Sequence, residues 1–330
     1  MRIGKISDSV LKRSILSQIK TKRPEVVSGA GIGEDCAIFA VSDTCACAVS
    51  QGSAATEEDM ARILIKCTNN LAASGARPTA ILLTLLLPQD TEESQLKRLT
   101  AAAEDTCARL EIQIAGGHTT VSSHVDVPIA CVTGWGIPIK GVSLQTTQGA
   151  KPGQDIILTK WIALEGTAIL ARQNRQRLAE RYPMRLIEEA ETFDRFLSVI
   201  PEAASAAQSG IRVMHDASEG GILTALWELA ESSGVGLTID LRRIPIRQET
   251  VEICEFCGIN PYTLASSGCL ILTADQGEIL VRNLKEQGIP ATIIGQITDS
   301  HDRLICNAEE KRYLDKPPQD EIYKCLNSNQ

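Results

Sequence analysis

The run Thr79–Leu87, with the sequence TAILLTLLL, constrains the fold of this chain more than any other segment. A short apolar run that ends at a turn residue predicts a buried β-strand. Pro88 ends the strand because proline lacks the N–H that a strand ladder needs. Amphipathic helices are predicted before and after it. Their apolar residues recur at helical spacing: Met60, Leu64, Cys67 and Leu71 over residues 57–74, then Leu96, Leu99, Ala103, Cys107 and Leu110 after Asp90-Thr91.

The other periodic segments of the first half complete an α+β domain. Strands are predicted over residues 36–49, 111–115 and 125–134, which gives the order β-α-β-α-β-β. The Gly- and Pro-containing passage Gly141–Gly153 marks a domain boundary. We therefore predict an N-terminal domain over residues 1–145, a C-terminal domain over residues 146–310, and a tail over residues 311–330. The tail is charged and contains Pro317-Pro318, so we expect it to be loosely packed.

The second half alternates strands and helices, which is typical of an α/β domain. Strands are predicted at Asp155–Thr159, Leu270–Ala274 and Thr292–Gly295. Helices are predicted near Leu164–Ala171, over 219–233 and over 276–287, and a polar helical stretch covers residues 173–209.

Composition limits the function classes. The 330 residues are 43% hydrophobic but only 3% aromatic, so the cores must be aliphatic. A formal net charge of −8 argues against a nucleic-acid partner, since phosphate backbones need clustered Lys and Arg. The 11 cysteines are scattered and odd in number, unlike a small disulfide scaffold. We find no signal-peptide core and no apolar run long enough for a membrane span, and we expect a cytoplasmic protein.

The segment Gly29–Asp35, GAGIGED, is the first candidate site. Glycines such as Gly33 let backbone N–H groups face a ligand, and the neighbouring carboxylates of Glu34 and Asp35 suit a hard cation such as Mg²⁺. The alternative is an ordinary glycine turn with solvated acids, because short glycine motifs often occur without a ligand.

Two further candidates lie in the N-terminal half. Asn69 and Asn70 interrupt an otherwise apolar helix, and their amides either contact a ligand or hydrogen-bond to a loop. Gly116, Gly117 and His118 follow a strand, where a ligand can approach the main chain. His118 is either a phosphate contact, an acid or base, or a metal ligand, or else a structural hydrogen-bonder.

The segment His215–Gly221, HDASEGG, is the most informative candidate because it combines an acid, a cap and a glycine pair. Ser218 is a predicted N-cap, and a helix N-terminus preceded by Gly220 and Gly221 is a good anion site. Asp216 is placed to hold a cation that bridges such an anion. The alternative is capping by Ser218 with a charge–dipole role for Glu219.

Several weaker motifs are more typical of structural or solvated residues than of a functional site. Cys254 and Cys257 form a single CxxC without a second pair at zinc-like spacing. Lys5 and Lys160 can reach a phosphate, but most lysines are solvated. No Gly-rich loop ends in Lys-Ser or Lys-Thr, so the chain has no standard P-loop.

Taken in order, five passages resemble the aminoimidazole ribonucleotide synthetase superfamily, and among its branches the HypE-like hydrogenase-maturation proteins. They are GIGEDCAIF, CTNNLAASGARP, AGGHTTV, VTGWG and MHDASEGGILTALWELA. The resemblance implies a two-domain PurM-like fold: an N-terminal α+β domain whose sheet joins that of a second protomer in a homodimer, and a C-terminal α/β domain. It also implies ATP and Mg²⁺ as cofactors, and phosphorylation of a substrate oxygen.

The resemblance assigns roles to particular positions. Metal ligands are Glu34, Asp35 and Asp216; cofactor-binding residues are Gly33, Asn70, Gly116, Gly117, Gly220 and Gly221; catalytic candidates are His118 and Asp216. The chain departs from the family at Gln51, Asn70 and His118, where the family carries acids. Because ATP with two metal ions needs several carboxylates, we expect one cation or none and impaired ATP hydrolysis.

The C-terminus departs as well. HypE ends in a cysteine that accepts a carbamoyl group, whereas Cys325 here is followed by Leu-Asn-Ser-Asn-Gln, which argues against carbamoyl dehydration. The leading hypothesis is an ATP-dependent or ATP-binding protein related to hydrogenase maturation. A non-catalytic scaffold dimer is the alternative, and a third hypothesis keeps the maturation role with a partner maturation protein that supplies the chemistry.

Overall fold

The computed structural model describes residues 4–5, 10–28, 38–39, 45–145, 147–315 and 319–326. The chain divides into two compact units, the first within residues 1–72 and 76–140 and the second within residues 73–75 and 141–330. The division after Lys140 falls at the start of the Gly- and Pro-containing passage.

Five of the described strands form the sheet of the first unit, in the order β1-β6-β5-β7-β4. The strands are β1 (Gly4–Lys5), β4 (Ala46–Ser53), β5 (Ala76–Leu87), β6 (Gln113–Val121) and β7 (Ile129–Pro138). β5 and β6 run parallel, and the other pairs are antiparallel. The short strands β2 (Val26–Ser28) and β3 (Ile38–Phe39) pair with each other.

Two helices, α1 (Glu57–Ala73) and α2 (Glu93–Arg109), bury their apolar stripes against one face of this sheet. α1 begins at a reciprocal capping pair: Asp59 N–H donates to Thr56 Oγ1, and Thr56 N–H donates to Asp59 Oδ2, each at 3.1 Å. The predicted helices over 57–74 and after Asp90-Thr91 are therefore confirmed.

The strand predicted from TAILLTLLL is also confirmed, but it is buried on one face only. Leu83, Leu85 and Leu87 lie in the core beneath the helices. On the opposite face Thr84 is exposed, and Leu82 and Leu86 are half-buried. A continuous apolar run does not distinguish a strand that is buried on both faces from a strand that is buried on one face and exposed on the other.

The second unit is built on a seven-stranded sheet in the order β14-β13-β10-β12-β8-β11-β9. The strands are β8 (Asp155–Thr159), β9 (Met214–Asp216), β10 (Gly236–Asp240), β11 (Leu270–Ala274), β12 (Ala291–Thr298), β13 (Arg303–Asn307) and β14 (Glu310–Tyr313). Only β10 and β13 pair in parallel among these described strands.

Helices of the second unit cover this sheet. They are α3 (Leu164–Gln173), α4 (Arg175–Ala179), α5 (Met184–Glu191), α6 (Ile200–Gln208), α7 (Gly221–Ser233), α8 (Gln248–Cys257), α9 (Gly277–Glu286) and α10 (Ile322–Leu326). The core is aliphatic, as the composition predicts: Phe193 is the one aromatic residue in it among the described residues. No helix of the described ranges has the length and apolar character that a bilayer crossing requires.

The predicted loose tail is wrong for the part that the structure describes. Glu310–Tyr313 form β14, which pairs with β13, and Ile322–Leu326 form α10. Between them Asp320 is buried, with only 3% of its surface exposed. The Pro-Pro dipeptide and the high charge indicate that most residues of the tail are exposed. They give no sign that one of its residues, Asp320, is buried and holds the segment in place.

Candidate functional site

The glycine-acid segment of the N-terminal half lies outside the described residues. Gly33, Glu34 and Asp35 all fall within residues 29–37, which the structure does not describe. Their assignment as nucleotide and metal contacts therefore stays a prediction.

Strand register places Gln51 and His118 on the open face of the first sheet. Residues paired across neighbouring strands lie on the same face. Gln51 pairs with Cys131, Cys131 with Thr84, and Thr84 with His118. Gln51 and His118, two positions where the family carries acids, thus lie in one cross-strand row.

The same row shows that these two positions cannot share one metal ion. It spans three strand spacings of ~4.8 Å, which puts the Gln51 and His118 backbones about 14 Å apart along the sheet. His118 is exposed, and its Nε2 lies 2.8 Å from Thr120 Oγ1. His118 therefore has a local hydroxyl partner and remains open to a ligand on this face.

Gly116 and Gly117 lie within β6, and the two glycines differ in what the fold demands of them. Gly117 has φ +151°, and a Cβ there would stand 1.8 Å from the Leu83 carbonyl oxygen. At Gly116 a Cβ would meet only Leu82 Cδ2, at 3.3 Å. Gly117 is thus required by the close approach of β5, and this reason holds whether or not a ligand binds.

The two amides of α1 occupy opposite environments. Asn69 is fully buried, whereas Asn70, the predicted cofactor contact, is exposed near the end of the helix. Asn69 therefore has a structural role, whereas a ligand can reach Asn70.

The acid-glycine motif of the second unit forms the turn between β9 and α7. Asp216 is the last residue of β9, pairs with Leu270 of β11, and is 7% exposed. Gly220 and Gly221 follow with φ values of +79° and +70°. A Cβ on Gly221 would stand 2.6 Å from the Tyr262 carbonyl oxygen, so the turn needs glycine there for close approach.

The predicted N-cap is wrong. The cap residue of α7 is Gly220 in a left-handed conformation, without a side-chain cap. Ser218 instead accepts hydrogen bonds through its carbonyl oxygen, from Gly221 N–H at 3.2 Å and Ser266 N–H at 3.0 Å. The glycine pair moves the helix start beyond the serine, because each positive φ breaks the helical path.

A carboxylate from the C-terminal segment occupies this helix start. Asp320 accepts hydrogen bonds from the N–H groups of Gly220 at 2.6 Å, Ile322 at 2.9 Å and Ala265 at 3.2 Å. Burial raises the pKa of the Asp320 carboxyl above its ordinary value, although the three N–H hydrogen bonds act in the opposite direction. The anion site that the sequence predicts is therefore present, with a carboxylate of the chain itself bound there. No pattern in the sequence identified Asp320 as the residue that binds at the start of α7.

Other buried charges near the turn are committed to internal partners. Lys160, which the sequence offers as a phosphate contact, is 8% exposed. It forms an ion pair with Glu202 and donates to the carbonyl oxygens of Phe196 and Ser198, at 2.8 and 2.6 Å. Glu165 accepts a hydrogen bond from Ser267 Oγ at 2.7 Å. These contacts hold Lys160 and Glu165 within the fold, and the assignment of Asp216 as a metal ligand stays a prediction.

The residues fit a metal ion only if the ion arrives with its own oxygen ligands. The described part of the chain contains no group of three or more His, Cys, Asp or Glu that could hold a metal ion. Mg²⁺ in nucleotide sites is commonly bound by one or two carboxylates, with phosphates and waters completing the shell. Asp216 fits that role, and a preformed metal cage does not exist among these residues.

Two family models match the chain in order. The N-terminal domain of AIR synthase related proteins matches residues 33–137, and the C-terminal domain of the same family matches residues 151–307. The chain belongs to the AIR synthase-related family.

AIR synthase-related proteins of known sequence extend the comparison. A putative hydrogenase expression/formation protein of Methanocaldococcus jannaschii is 29% identical over 272 residues, which is 80% of this chain and 78% of that protein. The carbamoyl dehydratase HypE of Rhodobacter capsulatus is 27% identical over 249 residues, covering 74% of this chain and 71% of that protein.

Solved structures share the fold. Escherichia coli HypE, a hydrogenase maturation protein, superposes with a TM-score of 0.78 at 19% identity, covering 95% of this chain and 99% of that chain. HypE in complex with ATP gives 0.74 at 20% identity, covering 95% of each chain. HypE in a HypE–HypF complex gives 0.70 at 20% identity, covering 82% of this chain and 90% of that chain. The predicted two-domain fold is therefore confirmed.

Alanine variants of the two glycines of β6 test whether Gly117 is required by the close approach of β5. We expect Gly117→Ala to lower the free energy of unfolding by about 3 kcal/mol or more, because its Cβ would overlap the β5 main chain. Gly116→Ala should cost about 1 kcal/mol or less, since a flexible leucine methyl can move aside. Urea denaturation followed by circular dichroism measures both. Equal stability of the two variants would refute the assignment of Gly117 to strand approach.

Proposed function

We propose that this AIR synthase-related protein binds ATP and takes part in hydrogenase maturation, in the manner of the HypE proteins that it resembles. The observation that carries the proposal is the β9–α7 turn, where buried Asp216 ends a strand directly before the glycine pair that opens a helix. Because the Gly220 N–H donates to Asp320, the proposed contact with the ATP–Mg²⁺ complex is Asp216 and not the helix start. Support also comes from a solved relative, which is HypE in complex with ATP.

The residues at the family's acidic positions favour nucleotide binding with slow or absent hydrolysis. An ATP with two divalent ions carries about four positive metal charges, which several carboxylates normally balance. Gln51, Asn70 and His118 stand where the family carries acids, and they supply no carboxylate. We therefore propose one Mg²⁺ at most, with Asp216 as its ligand.

Cys325 lies on α10, partly exposed and packed against the core of the second unit, and the residues Ile322-Tyr323-Lys324 before it do not reproduce the acceptor motif of HypE. We propose instead that a partner maturation protein supplies the chemistry, as a relative solved in a HypE–HypF complex supports.

Asp216→Asn tests the nucleotide site. The neutral amide keeps the shape of the side chain but removes the charge that offsets a cation, so we expect affinity for ATP with Mg²⁺ to fall about tenfold or more. Isothermal titration calorimetry measures it. Asp240→Asn is the control, because Asp240 is an aspartate at a strand end of the same unit whose partner is the exposed Arg242.

Two results would refute the nucleotide proposal. One is wild-type protein that shows no binding at millimolar ATP and Mg²⁺. The other is Asp216→Asn protein, folded by circular dichroism, that binds as tightly as wild type.

The open face of the first sheet supports a second proposal, a homodimer. Val49 is 57% exposed and Ile129 is 36% exposed on this face, next to the half-buried Leu82 and Leu86. Exposed apolar patches of this kind mark protein interfaces. We infer that the same face of a second copy covers them, as the family resemblance implies.

A matched pair of valines tests the dimer. Val49→Asp places a charge on the open face, on the edge strand β4, and we expect it to weaken self-association about tenfold or more because the charge would be desolvated on assembly. Val127→Asp is the control, since Val127 is 45% exposed in the loop between β6 and β7 and off the sheet face. Sedimentation equilibrium measures both. A monomeric wild type at tens of micromolar, or a Val49→Asp dimer as tight as wild type, would contradict the proposal.

A further inference from the structure

A cavity of about 390 Å³ lies at the edge of the sheet of the second unit. Its walls include residues of α7, of the β13–β14 hairpin and of the C-terminal segment 319–326. Small-molecule sites in proteins usually measure about 300–1,000 Å³. The cavity is therefore large enough for a small metabolite.

Three buried aliphatic side chains form one side of this cavity. Leu223 on α7, Ile305 on β13 and Leu314 just after β14 line it, and each is at most 5% exposed. All three belong to the aliphatic core of the second unit. A ligand group that rests on them must itself be apolar, because a polar group there would lose its water without gaining a hydrogen-bond partner.

Strand register places an arginine next to these aliphatic side chains. Ile305 and Arg312 are paired across β13 and β14, and paired residues lie on the same face of a sheet. Arg312 is exposed and lines the cavity, and it forms no hydrogen bond or ion pair with any residue that the structure describes. Its guanidinium is therefore available to a carboxylate, which it can bind through two parallel N–H groups.

One acid of the cavity is equally available. Asp320 accepts from three backbone N–H groups, and Glu321 forms an ion pair with Lys324 at 2.6 Å. Asp315 also lines the cavity and is exposed, and within the described ranges it has no hydrogen bond or ion pair, not even with Arg312. The cavity thus presents one free positive and one free negative side chain.

We propose that this cavity binds a free α-amino acid with an apolar side chain. Arg312 binds its carboxylate, Asp315 binds its ammonium group, and its side chain packs on the aliphatic residues of the cavity. A ligand with only one of the two charges leaves the other protein charge without a partner. Because Asp216 does not line the cavity, the inference stands whether or not the β9–α7 turn binds ATP.

Binding of L-leucine and three simpler relatives to the full chain tests the ligand class. Isocaproate lacks the ammonium group of leucine, isoamylamine lacks its carboxylate, and glycine lacks its side chain. Saturation-transfer NMR titrations measure the affinity of each compound. We expect leucine to bind about tenfold or more tightly than any of the three, because each has lost one of the proposed contacts.

Two variants assign the charges to their residues. Arg312→Gln should weaken leucine about tenfold and leave isoamylamine unchanged, since that amine has no carboxylate to lose. Asp315→Asn should weaken leucine to a similar extent and leave isocaproate unchanged. Both side chains are exposed, so we expect both variants to fold, which circular dichroism checks.

Two matched charge changes serve as controls and should bind leucine like wild type. Lys311→Gln changes the neighbour of Arg312 on β14, which pairs with Cys306 and lies on the opposite face of the strand. Asp299→Asn changes an exposed aspartate between β12 and β13 that does not line the cavity.

Three results would overturn the proposal. The first is no saturation transfer to leucine at about 10 mM, in which case Arg312 serves only to protect the edge strand from pairing with another chain. The second is equal affinity for leucine, isocaproate and isoamylamine. The third is folded Arg312→Gln or Asp315→Asn protein that binds leucine as tightly as wild type.

Discussion

The carboxylate of Asp320 at the first turn of α7 is the contact on which this region of the second unit depends. A helix start leaves N–H groups without intrahelical acceptors, and burying them unpaired is costly. Here Gly220 has no side chain to cap the helix, so an acceptor must come from elsewhere in the chain. Asp320 provides it, and by also accepting from Ala265 and Ile322 it joins three segments that are distant in sequence.

The internal partners of the buried acids limit what the second unit can bind. Glu202 is paired with Lys160, Glu165 accepts from Ser267, and Asp320 accepts from three N–H groups. Drawing one of these carboxylates away to a cation would leave its present partner buried and unpaired, which is costly. We propose Asp216 as the metal ligand of the second unit, because a single carboxylate suits an ion that arrives with phosphate and water ligands.

Periodicity predicted the strongly apolar elements well, since the strand Asp155–Thr159 and the helix Glu57–Ala73 lie where their patterns place them. It missed β9, β10, β13 and β14, because polar residues interrupt these short strands and leave no continuous apolar run. Spacing identified the turn before α7 but not its partner Asp320, since a long-range carboxylate contact leaves no local pattern. The row from Gln51 to His118 likewise emerges only from strand register.

The central claim is that the turn between β9 and α7 takes part in binding ATP with a metal ion. A crystal structure of the full chain with a non-hydrolysable ATP analogue and Mg²⁺ addresses it most directly. The account predicts an ion on the Asp216 carboxylate, with phosphate oxygens and waters in its remaining positions. A bound analogue whose phosphates and metal ion make no contact with Asp216 would contradict it.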